Sequence, residues 1–242
     1  MSTLSEFIGR HRMLLSTEHN NVFAFAFGKV TSKLSYLDII QERYDVASQA
    51  LIANSNAVFE LAKALPSGTR TPSPEERELQ NRAGLLSVGT HLEIESFYIF
   101  AKMLLDDVAR AIEYYFGQAN NCSLDSHDDL TKKLARYAAG KQLAVPDGFE
   151  QSLNDLKRRI ADVRDKRISH EKSPRTVKGT GWGGTSDGAR IVLTRIYPNE
   201  RDEQFETEEL GVLRAAIDGY LLLVIRLIDD NHERTVLSRE DI

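Results

Sequence analysis

The side chains best suited to chemistry lie together near residue 160, in the run Ile160-Ala161-Asp162-Val163-Arg164-Asp165-Lys166-Arg167-Ile168-Ser169-His170. On an ideal helical wheel with Ile160 at the origin, Leu153, Leu156 and Val163 fall within about 60° and define an inward face. Arg164, Arg167 and His170 then lie at roughly +40°, −20° and −80° and continue that apolar stripe. Asp155, Arg158, Asp162, Asp165 and Ser169 take the wetter side. Burying cations is costly unless they are paired or line a cleft open to water. Two readings meet that cost. In one, the helix has left the core by Arg164, and the cations pair with acids such as Glu93 or Glu95. In the other, they line a cleft for a phosphate, with arginine forks on its oxygens and a histidine able to move a proton near neutral pH.

Charge distribution sharpens the question. Residues 157–178 hold nine Lys/Arg against three acids, a local charge of +6 on a chain whose net charge is −5. Lys157, Arg158, Arg159, Lys166, Lys172, Arg175 and Lys178 surround the run just described. A basic island on an acidic body gives one surface for a polyanion; it is also what a solvated helix end looks like, where cations complement the helix dipole.

The elements that must position this run are helical. From Leu37 the heptad positions read Leu37, Ile40, Tyr44, Ala47, Leu51, Asn54, Val58, Leu61 and Leu65, ending at Pro66-Ser67-Gly68. Such a seam predicts a long antiparallel hairpin or a dimer, with Asn54 fixing register or bonding to a neighbour. Ser73, Pro74 and Glu76 have the types and spacing of an N-cap, a first helical residue and a capping box, so a helix starts there and runs to Phe116-Gly117. A third helix is expected from about Ser126 to Leu143. A fourth follows Pro146-Asp147-Gly148, from about Phe149 to His170. A last one starts near Thr207 and carries the stripe Leu210, Leu213, Ile217, Tyr220, Leu221, Val224 and Ile228. Between the last two, residues 172–200 turn Gly/Ser-rich and then β-branched. The expected fold is therefore an all-α bundle with a short strand or hairpin before its final helix.

The segment Arg164 to His170 resembles the Arg-x(4–6)-His motif of HEPN-domain proteins, in the abortive-infection form where a polar residue follows the arginine. The same spacing also occurs from Arg12 to His19 and from Arg226 to His232. The first precedes any convincing core helix and the second sits at a fraying helix end. Only Arg164 to His170 combines the following acid, the basic island and a place before the final helix. The resemblance covers about residues 92–230. It implies a helical bundle at 71–242 with residues 1–70 as an N-terminal extension, and a homodimer whose two motifs meet in one cleft. The activity implied is that of a metal-independent endoribonuclease of a toxin–antitoxin or phage-defence system. His170 would then be general acid or base, Arg164 would hold phosphate oxygens with Arg167 as the alternative contact, and Asp165 would orient either, although the wheel points it away. RNA supplies its own 2′-hydroxyl nucleophile, so proton transfer and charge stabilisation suffice. The basic island would guide the backbone, and Trp182 would stack on an unpaired base. A non-catalytic HEPN-like module that binds RNA or protein is the rival reading. A neutralising antitoxin is a further implied partner.

Other signals carry less. A single cysteine, Cys122, excludes a disulfide framework and a multi-cysteine zinc site. No metal and no cofactor is expected: His91-Leu92-Glu93-Ile94-Glu95 and His127-Asp128-Asp129 lack the His-Glu-x-x-His spacing. The glycines around Trp182 lack a Gly-Lys-Ser/Thr ending and read as a surface loop. The apolar runs are far too short for a membrane span, and the first residues lack a secretory pattern, so a cytoplasmic protein without membrane contact is expected.

Overall fold

The computed structural model describes residues 2–63, 71–119, 122–165, 178–185, 188–195 and 206–238. The described residues are overwhelmingly helical: α1 Ser2–Arg12, α2 Thr17–Lys63, α3 Pro74–Phe116, α4 His127–Lys141, α5 Phe149–Leu156 and α6 Leu210–Asp230. The all-α class follows from these. Among the described residues no helix is long and apolar enough to cross a membrane. Between α5 and α6 the backbone of Lys178–Thr185 (β1) runs antiparallel to Gly188–Arg195 (β2), and Glu206–Glu208 (β3) pairs with the other edge of β2.

Contacts sort the chain into two compact units, one of residues 1–38, 98–170 and 212–242, the other of 39–97 and 171–211. Both long helices contribute to each unit, so the units do not follow a linear division at residue 70. In the second unit, α2 and α3 face each other antiparallel. Asn54 Nδ2 donates to the Leu79 carbonyl at 2.9 Å, and Arg43 Nη2 meets Glu93 Oε1 at 2.6 Å. In the first unit, Lys33 and Asp107 sit 3.4 Å apart and the Tyr36 and Phe100 rings 5.4 Å apart. The heptad residues Leu37, Ile40, Tyr44, Leu51 and Asn54 are buried. Of the two seams the spacing allowed, the intramolecular hairpin is the one realised, and Asn54 serves a neighbouring backbone.

Element starts follow local chemistry where that chemistry is strong. The Ser73 amide donates to Glu76 Oε2 at 2.7 Å and the Glu76 amide to Ser73 Oγ at 3.1 Å, a complete capping box opening α3. The helix continues unbroken past Gly89. Ser126 Oγ accepts from the Asp129 amide and caps α4. Gly117, at φ +73°, ends α3 where a Cβ would meet Val236 at 2.9 Å, so both conformation and space demand glycine. The last helix starts later than expected, at Leu210, because Glu206–Glu208 pairs with β2. Its stripe is as read: Leu210, Leu213, Ile217, Tyr220, Leu221, Val224 and Ile228 are all buried.

The N-terminal stretch departs from the sequence reading. It is helical from Ser2, and Phe7, Phe23 and Phe27 are fully buried with ring centroids 4.9 to 6.0 Å apart. Arg12 and His19 therefore flank the junction of two packed helices. The Arg226–His232 segment is not frayed either. Asn231 is buried, donates to the carbonyls of Ala144 and Leu227, and accepts from the Ala144 amide at 2.7 Å.

Replacing Ser73 by Ala removes one half of the capping box and is expected to lower stability by about 1 kcal/mol, with Ser73→Thr close to the parent, as read by urea unfolding.

Candidate functional site

The basic run begins on α5, whose inward face is Phe149, Leu153 and Leu156. At Lys157–Ala161 the helix widens into a π-helical turn, the Asp162 amide bonding the Lys157 carbonyl. An inserted residue of this kind rotates everything beyond it relative to an ideal wheel. The inward face widens with it: the adjacent residues Ile160 and Ala161 are both buried, as is Val163.

Arg164 lies just past this turn. Its side chain is 33% exposed, its Nη1 donates to Asp165 Oδ1 at 2.7 Å, and its Nε is buried without a hydrogen-bond partner among the described residues. An ideal wheel points Asp165 away from the arginine. The long arginine stem instead folds back onto its chain neighbour. A guanidinium so placed is half-committed: one nitrogen is held by a carboxylate and another is shielded from water. It therefore retains donors for an oxyanion at modest further desolvation cost.

The other basic residues divide into three groups. Arg158 and Arg159 both pair with Asp155, at 2.9 and 2.7 Å, and Lys157 shares Asp128 with Lys132. Burial works against ionisation of Asp128, but the ammonium groups of Lys132 and Lys157 hold its carboxyl below the usual carboxylate range. Asp155, likewise disfavoured by burial, is held low by Arg159 and Arg158. These cations are thus partly offset: two carboxylates are shared among four of them, and a positive excess remains. The backbone of β1 places Lys178 opposite Arg195 and Trp182 opposite Ile191. Lys166, Arg167, His170, Lys172 and Arg175 lie outside the described residues. Glu93, the acid considered as a partner for the run, pairs with Arg43.

Two buried histidines escaped the sequence reading. His11 sits between Phe7, Phe23 and Tyr115; its Nε2 is 2.8 Å from Asp229 Oδ1 and its Nδ1 is 3.1 Å from the Tyr115 hydroxyl. Burial lowers its pKa while Asp229 works to raise it. With Asp229 ionised, Nε2 donates to the carboxylate and Nδ1 accepts from the tyrosine, so all three groups are satisfied with the imidazole neutral. The spacing Leu4, Phe7, His11 is the helical stripe that could have revealed it. Because Tyr115 is buried, this is a clasp holding α1 to α3 and α6 rather than an accessible catalytic triad.

His127, noted in the sequence only as lacking metal-ligand spacing, is fully buried at the start of α4. Its Nε2 donates to the Leu153 carbonyl at 3.1 Å, and its ring lies edge-on to Tyr220. Its backbone amide donates to Asp106 Oδ1, a carboxylate also held by Lys102 at 2.6 and 2.7 Å. Desolvation, with a smaller opposing effect from the Leu153 carbonyl and a further push from Lys102, lowers its pKa to about 4. Among the described residues no three metal-capable side chains are grouped to hold an ion. The chain matches no protein-family model, no curated protein and no solved structure.

His127 makes stability pH-dependent with a definite sign. Its pKa falls from the model-peptide 6.5 when unfolded to about 4 when folded, so between these values the unfolded chain binds more protons. The stability it contributes is full above pH ~6.5 and falls by roughly 3 kcal/mol as pH drops toward 4. Urea unfolding at a series of pH values should show this slope in the parent and a shallower one in His127→Gln.

Proposed function

We propose that the chain is a HEPN-like, metal-independent endoribonuclease working as a homodimer in a toxin–antitoxin or phage-defence setting. The observation that carries this reading is Arg164: a half-buried guanidinium past a π-helical turn, one nitrogen held by Asp165 and its Nε without a partner. An arginine followed by a polar residue is common in the motif that this segment resembles, and here the two side chains are in contact in an all-α chain. The paired segments 178–185, 188–195 and 206–208 are then the β insertion before the last helix of the bundle at 71–242. The cell compartment is the cytoplasm, RNA is the substrate and an antitoxin is a candidate partner.

The chemistry uses residue types alone. His170, six residues on, accepts the 2′-hydroxyl proton as that oxygen bonds to phosphorus. The phosphorus–O5′ bond then breaks as the imidazolium of His170 returns that proton to the 5′-oxygen. Arg164, with Arg167 as the alternative, neutralises the charge that grows on the non-bridging oxygens. The fragments carry a 2′,3′-cyclic phosphate and a 5′-hydroxyl. Asp165 has a positioning role, holding the guanidinium it already contacts. Lys166, Lys172, Arg175 and Lys178 guide the backbone, and Trp182 stacks on a base.

One observation favours a second reading, a non-catalytic helical binding module. Lys157, Arg158 and Arg159 already hold Asp128 and Asp155, which ties up part of their donors and reduces the basic surface offered to RNA without cancelling its positive excess.

Purified protein incubated with RNA in EDTA separates the two. Cleavage is expected in the parent and is expected to fall at least about a hundredfold in Arg164→Ala and in His170→Ala, with circular dichroism unchanged. Equal cleavage in all three preparations means a contaminating nuclease and removes the reading. Binding without cleavage, weakening steeply with salt, selects the module.

A further inference from the structure

Helix α2 carries a second face that its packing against α3 does not use. Glu18, Val22, Phe25 and Lys29 follow one another at steps of four, three and four residues, which places them within roughly 60° on one side of the helix over about 16 Å of its length. All four are exposed or half-exposed, Val22 by 45% and Phe25 by 74%. A phenylalanine ring 74% exposed, with a valine beside it and an acid and a base on the outer turns, makes a small apolar patch bracketed by opposite charges.

Next to this ring runs a groove of about 340 Å³ between α2 and α3, its lining including Val22, Phe25, Ala26, Lys29, Ala111 and Tyr114. A cavity of about 150 Å³ is enough for a benzene ring, so the groove has room for an aromatic side chain. Glu18 lies close enough to Tyr114 for its charge to add to the burial that raises the tyrosine pKa, which puts the carboxylate near the same groove. The patch therefore presents a protruding ring and a slot of suitable size side by side. That is what a twofold interface requires, because the same surface must be complementary to itself.

We propose that this face of α2 is a self-association surface, on which a second copy of the chain packs its own α2 antiparallel about a twofold axis passing between residues 23 and 24. In that arrangement Val22 of each copy lies beside Phe25 of the other, and Glu18 of each beside Lys29 of the other. Two apolar layers are flanked by two opposite-charge layers. A parallel, in-register pairing would set Glu18 against Glu18 and Lys29 against Lys29, so charge selects the antiparallel orientation. The surface involves residues distant in sequence from the basic run, and the inference stands whether or not the chain cleaves RNA.

Sedimentation velocity on the full chain tests it. The parent is expected to be a dimer at about 100 µM and to dissociate on dilution. Phe25→Asp, at an exposed position, is expected to keep the parent's thermal unfolding while raising the dissociation constant at least about tenfold. Glu18→Lys and Lys29→Glu each bring like charges together and should weaken the dimer several-fold, whereas the double swap restores opposite charges in the antiparallel arrangement and should return it to near the parent. A parent that stays monomeric at that concentration overturns the proposal. So does a dimer that Phe25→Asp leaves unchanged, as an interface elsewhere would give. A double swap weaker than either single change overturns the antiparallel geometry and with it the proposed surface.

Discussion

Helices of 47 and 43 residues cannot hold their length on intrinsic propensity; each needs a stripe of its surface taken out of water along most of its course. In this protein α2 and α3 both bury such stripes, Leu37, Ile40, Tyr44 and Leu51 on one helix and Ile94, Phe97, Tyr98, Leu104 and Leu105 on the other. Asn54–Leu79 and Arg43–Glu93 link the two helices within the second unit, and Lys33–Asp107 links them within the first. Positions of the remaining described helices follow from what is left to bury in their own unit, chiefly the lower part of α3 and the stripe of α6.

Burial on this scale forces decisions on every polar group that comes with it. Lys102 enters the interior only with Asp106 at 2.6 Å, and His127 only as a neutral ring donating to a carbonyl. His11 enters with Asp229 on one nitrogen and Tyr115 on the other. The basic run obeys the same rule in part along half its length, where Asp128 and Asp155 each hold two cations. Among the described residues the rule is met incompletely at Arg164, whose Nε is buried without a partner, as it is at Nδ1 of His127. Leaving a buried donor such as the Arg164 Nε unpaired costs on the order of 1–3 kcal/mol.

Much of the fold was legible before coordinates. Ser73, Pro74 and Glu76 announced the start of α3 because capping is chemistry within four residues. Leu210 to Ile228 announced the core helix because periodicity is visible over a few turns. The N-terminal extension was read as helical, but its burial was missed because its apolar residues, Leu4, Phe7, Phe23 and Phe27, are spread across a turn, and His11 does not read as a core residue until Asp229 is known to face it. The start of α6 was placed too early because the sequence signal at Thr207 and Glu208 suits an N-cap, while the backbone there pairs with β2 instead.

The amino-acid sequence alone determined the helical class, the seam on α2, the capped starts and the clustering of cations between Lys157 and Lys178, all of which depend on neighbours a few residues apart. Only the tertiary structure decided which acid takes which cation, that Asp165 reaches Arg164, and that two histidines stay neutral inside. Those outcomes join groups 26, 104 and 218 residues apart, or hinge on one π-helical turn that rotates the residues beyond it. Local periodicity contains no information about such distant partners, because a charge or a ring nitrogen is satisfied by whatever the packed chain brings within about 3 Å.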